Sequence, residues 1–227
     1  MRVLPHLPKS IRTFALTQRG HGDASRPVTG YRPLDFENDL VGFMDALELN
    51  TAVIAGGSSG GIIARRFAID YPNRTSGLIL VGSPLTLQDK PFILDIWTST
   101  ISNLKDPIEP NFVGEFIKST LAQQVPQEFL KTMIKENLKV PARVWTATLR
   151  GFLEDDSSKE LNKIKTPTLI VWGDKDVITP RSEQKTMLER IVNSRLVVYP
   201  DAGHALYWEE PAHFASDIVA FIKTLDH

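Results

Sequence analysis

Cysteine is absent from the 227-residue sequence. That excludes disulfides, thiolate metal sites and a cysteine nucleophile. An excess of charge of either sign is also absent: 26 Lys and Arg stand against 27 Asp and Glu, a formal net charge of −1. Such a balance gives no electrostatic footprint for nucleic acid or an anionic membrane, so the expected partner is a small molecule rather than a polyanion. Long apolar runs are missing as well. No segment approaches the 18 apolar residues of a membrane span, and Met1 to Pro8 lack the apolar core of a signal peptide. The expectation is a cytoplasmic protein with no nucleic-acid or membrane partner; the composition is silent on oligomeric state. What is present is ordinary, with 42% hydrophobic and 23% charged residues, enough for one sizeable core.

Short apolar runs alternate with helical patterns. Residues 11–17, 51–56, 77–82, 167–172 and 195–199 read as strands, several of them nearly continuous in Val, Ile and Leu, as suits a parallel sheet buried on both faces. Leu40, Phe43, Met44 and Leu47 form one helical face. Residues 60–71 form a second helix, stopped before Pro72. Phe214, Ile218, Phe221, Ile222 and Leu225 mark a third, with Pro211 near its first turn. This alternation implies an open, mostly parallel α/β sheet with helices on both faces. Residues 85–163 break it: they contain no convincing strand and read as helices near 89–103, 110–121, 126–138 and 141–153. The organisation expected is a core of residues 1–84 and 164–227 with a helical lid at 85–163.

Strand 51–56 runs into Gly56-Gly57-Ser58-Ser59-Gly60-Gly61 and then a helix, the G-x-S-x-G pattern in its strand–turn–helix setting. A serine on such a sharp turn exposes its hydroxyl, and bulk at Gly56 or Gly60 is expected to collide as strand and helix close. A P-loop would need a lysine that is not there. A dinucleotide fingerprint would need glycine where Ser58 stands, and no acid closes strand 77–82 to hold a ribose. A nucleophilic Ser58 needs an acid and then a histidine later in the chain. Both appear where strands end: Gly173-Asp174-Lys175-Asp176 and Asp201-Ala202-Gly203-His204.

With Arg19-Gly20-His21-Gly22, the turn around Ser58, Trp172-Gly173-Asp174-Lys175-Asp176, Gly203-His204 and Glu210-Pro211 in this order, the chain resembles the α/β-hydrolase superfamily, in particular its single-domain, lid-bearing esterases and lactonases. The resemblance implies Ser58 as nucleophile, Asp176 rather than Asp174 as acid, His204 as base and the Ser59 N–H as an oxyanion donor. It implies no metal and no organic cofactor. Gly57, Trp97, Phe116 and Trp145 are candidate substrate contacts. Along with Phe112 and Leu149, most of the lid aromatics read more readily as packing between lid helices. His21 reads as a structural turn residue, His6, His213 and His227 as surface groups, and Glu154, Asp155 and Asp156 as a solvated loop.

The chain departs from the family at one end. By resemblance, three strands and a His-Gly turn precede the segment matched by residues 11–22, and the turn supplies the second oxyanion donor. Two arrangements are open: strand 11–17 pairs directly with 51–56, or the protein begins upstream, which is the expectation. The functions to weigh are hydrolysis of a small ester, lactone or related carbonyl compound, and small-molecule binding by a catalytically impaired relative.

Overall fold

A computed structural model describes residues 2–88 and 90–225; the expected lid helix start at residue 89 and the surface reading of His227 lie outside them. Strands β1 (Ala52–Gly57), β2 (Thr75–Val81), β3 (Thr168–Gly173) and β4 (Ser194–Tyr199) form one parallel sheet in that order. Ile54 lies beside Leu78, Leu80 beside Ile170, and Ile170 beside Leu196.

Side chains alternate across the sheet, as the period of two requires. Ile54, Leu78, Leu80 and Ile170 pack with Met44, Phe67 and Met187, which come from α1 (Pro33–Ala46), α2 (Ser59–Asp70) and α7 (Arg181–Arg190). Ile79, Val81, Leu169 and Val171 pack on the other face against Val3, Phe214 and Phe221, the last two from α8 (Pro211–Lys223). Helix α7 has no counterpart in the hydrophobic pattern, because its buried residues are only Gln184 and Met187 and an amphipathic stripe never develops.

Residues 11–17 are not a strand. Their backbone makes no ladder with β1, so the arrangement in which they pair with it is not realised. Phe14 and Leu16 are each 40% exposed, and Phe14 meets Phe43 of α1 edge-on at 5.4 Å. Alternating apolar residues give a strand one face to bury, but a strand also needs a neighbour for its N–H and C=O groups. None is present among the described residues, and β1 is an edge of the sheet.

Between β2 and β3 lie α3 (Pro91–Ser99), α4 (Pro110–Ser119), α5 (Gln127–Leu138) and α6 (Ala142–Leu153), close to the four helices expected. Proline opens α3 and α4, where its missing N–H has no intrahelical partner to lose. Both ends of this insertion close on one side chain. Arg65 of α2 is 1% exposed; it donates to Pro84 O and Leu85 O at the entry and to Ser157 Oγ at the exit. Burial lowers its pKa to about 10, with Asp156 and Asp155 opposing that shift. The loop at 154–156 is therefore not simply solvated. Asp156 caps Ser158 N at 2.9 Å, and one Asp155 oxygen is buried without a partner.

Candidate active site

The three chemically reactive side chains all sit beyond the carboxyl ends of strands, where an open parallel sheet gathers its ligands. Ser58 follows β1 and precedes α2, with φ 53° and ψ −128°. A non-glycine residue there stores about 1–3 kcal/mol of backbone strain. The surroundings hold it: Ser58 N donates to Val81 O at 2.8 Å, and Gly61 N to Ser58 O at 2.9 Å. A Cβ on Gly56 would lie 2.1 Å from Gly60 O, so that glycine is obligatory. The expectation for Gly60 is wrong, because a Cβ there meets nothing within 4 Å. The tight second position is Gly61, whose Cβ would lie 2.4 Å from Ser83 Oγ. The turn closes on the loop after β2 as well as on itself, and a local motif does not carry that information.

Asp176 follows β3 and His204 follows β4. His204 Nδ1 and Asp176 Oδ2 are 2.8 Å apart. Since a carboxylate only accepts, Nδ1 carries the proton and Nε2 presents a lone pair. Asp176 Oδ1 also accepts from Ile178 N and Thr179 N, and Oδ2 from Thr179 Oγ1. Burial by itself would push the Asp176 carboxyl up, but His204 and Thr179 together hold it below the usual carboxylate range. Asp174 is exposed and accepts from Asp201 N instead. Gly82, unmarked in the sequence reading, makes room for the pair. Its φ is +50°, and a Cβ would sit 3.2 Å from His204 Nδ1 and 3.3 Å from Asp176 Oδ2. Glu209, also unmarked, holds the histidine loop to the insertion. Its Oε1 accepts from Ala122 N and Gln123 N, and its Oε2 from Gly203 N.

A cavity of about 690 Å³ lies between these loops and the insertion, and Ser58, Ser59, Gly57 and His204 line it. Ser58 Oγ and His204 make no hydrogen bond; such bonds are often long without substrate. Ser59 opens α2, so its N–H has no intrahelical acceptor. No second oxyanion donor is identified among the described residues. Ile93, Ile96, Phe112, Phe116, Trp145 and Leu149 supply an apolar wall. Phe116 and Trp145 both line the cavity and pack on each other edge-on at 5.5 Å. Trp97 does not line it. The phase of α3 turns Ile93 and Ile96 inward, and Trp97 lies under the Arg150 guanidinium, 5.6 Å from its ring centre. His21 lines the cavity too, contrary to its reading as a turn residue alone. Tyr207, against Gly57, is kept a neutral phenol by burial, with its pKa pushed up to about 12. A shallower concavity of about 760 Å³, between residues 28–35 and α6, contains none of these reactive groups.

The family model of the alpha/beta hydrolase fold matches residues 1–211. The chain belongs to that family. Among curated α/β-hydrolase relatives, it is 28% identical over 193 residues to 2-hydroxy-6-oxo-6-phenylhexa-2,4-dienoate hydrolase of Burkholderia cepacia, covering 76% of this chain and 63% of that protein. It is 29% identical to 2-hydroxymuconate semialdehyde hydrolase of Pseudomonas sp. strain CF600, covering 99% and 81%. The chain thus spans less than two thirds of the first relative's length. Among solved structures, a thermophilic esterase from Thermogutta terrifontis superposes with a TM-score of 0.81 at 27% identity, covering 92% of this chain and 78% of that one. Among the described residues no helix is long and apolar enough to cross a membrane.

Proposed function

We propose that this α/β-hydrolase cleaves a small ester, lactone or related carbonyl compound through an acyl-enzyme on Ser58. The observation that carries the reading is the Asp176–His204 pair, whose histidine lines the same cavity as Ser58. Ser58 Oγ attacks the carbonyl carbon and its proton passes to His204 Nε2. His204 returns that proton to the leaving alcohol, then draws one from the water that releases the acid. Asp176 holds the tautomer and stabilises the imidazolium, and the Ser59 N–H faces the developing oxyanion. None of these steps calls on a cofactor. Residues 85–163 act as the lid over a core of residues 1–84 and 164–227, and the protein works in the cytoplasm. Relatives named as hydrolases and a neighbour named as an esterase support the reading.

A second reading, small-molecule binding with impaired catalysis, is favoured by the single oxyanion donor identified among the described residues, since loss of one donor costs about 100- to 1000-fold. Turnover of p-nitrophenyl butyrate by the chain and by Ser58→Ala separates the two. The hydrolase reading expects a rate about 1000-fold or more above the variant. Equal rates reject it in favour of binding.

A further inference from the structure

His21 is held by a turn built for it. Gly20 N donates to Ser25 O, His21 N to Gln18 O and Ala24 N to His21 O. The preceding Arg19 is itself fixed, donating to both Asp39 oxygens and to Gly30 O. His21 Nδ1 lies 3.0 Å from Arg19 O. A backbone carbonyl only accepts, so Nδ1 carries a proton, and in the neutral ring Nε2, on the opposite edge, is an acceptor. Nε2 has no partner among the described residues and is not sealed off from solvent, and the side chain lines the cavity that contains Ser58. The cavity's lysine, Lys90, is already paired with Glu183 at 2.7 Å, and the wall formed by the insertion is mainly apolar, with Glu115, Asn137 and Thr148 among its polar members. A preorganised acceptor in such a setting selects a ligand by the donor it brings.

We infer that His21 is a specificity-determining residue, and that the substrate is a neutral, largely apolar carbonyl compound carrying a hydroxyl or amide N–H that donates to His21 Nε2. The inference rests on the cavity being the substrate site, as proposed above. A neutral hydrogen bond of this kind separates ligands with and without the donor by about 3- to 10-fold.

The test uses Ser58→Ala and ligands that are not cleaved: 1-phenyl-1-butanone and its 2-, 3- and 4-hydroxy derivatives, titrated by calorimetry. At least one hydroxy ketone is expected to bind about 3- to 10-fold tighter than the parent. Adding His21→Asn keeps a donor for Arg19 O while removing Nε2, and the preference disappears. Adding His21→Gln, whose longer amide reaches toward the Nε2 position, restores part of it. No preference in the His21 protein, or one that survives His21→Asn, overturns the inference. Because no bond is cleaved, the titration reports on His21 whether or not the chain turns over an ester.

Discussion

Glu37 of α1 is fully buried, and neither carboxylate oxygen has a hydrogen-bond partner. Burial, reinforced by the nearby Asp70, pushes its pKa from 4.5 up to about 7. In the unfolded chain the group ionises near 4.5, so between that pH and about 7 unfolding releases a proton and the fold loses stability as pH rises. Above about 7 the penalty is constant, on the order of 3 kcal/mol. Glu37→Gln should therefore match the parent in urea unfolding at pH 4 and exceed it progressively up to pH 8. An equal gain at both pH values would show that the carboxylate is not the cause. Nothing in the sequence singles out Glu37, because a glutamate on a surface-type helix reads as solvated. The positions of Ser58, Asp176 and His204 beyond strand ends were legible by contrast, since each stands in a fixed local pattern that follows an apolar run. Gly82 was not, because its neighbours come from two other loops.

At the scale of elements, the strands were legible wherever Val, Ile and Leu ran nearly unbroken, and the insertion wherever proline punctuated it. Helix phase was not: the choice of Ile96 over Trp97 for the cavity depends on how α3 lies on α6. Segment 11–17 carried the pattern of a strand without the partner that makes one. The seam at Glu209 is also invisible in sequence, although it joins the α4–α5 connection to the loop of His204. Glu209→Ala leaves the N–H groups of Ala122, Gln123 and Gly203 without their carboxylate. We expect a stability loss of about 2–4 kcal/mol in urea unfolding. Turnover should fall about 10-fold or more, because His204 follows Gly203 directly. An unchanged unfolding midpoint would mean that water replaces the carboxylate without cost.

At the scale of the whole molecule, the edge of β1 dominates. Among the described residues its outer side pairs with nothing, Ala55 is exposed within the strand, and Phe14 and Leu16 add apolar surface. An unprotected edge is a template for another strand. This polypeptide is expected to associate as its concentration rises, and Ala55→Lys to weaken that association. Sedimentation velocity measures both, and a single monomeric species throughout would contradict the first expectation.

The closure of the insertion on Arg65 has a consequence for how this pocket can change. One guanidinium acts as a non-covalent staple across a loop of roughly seventy residues, and the closure cost of a loop rises only by about 0.6 kcal/mol for each doubling of its length. Helices inside the staple can lengthen, shorten or be exchanged while the ends keep their spacing over α2. Pocket volume is thereby free to diverge at small thermodynamic expense, provided that the seam to the histidine loop is rebuilt with it.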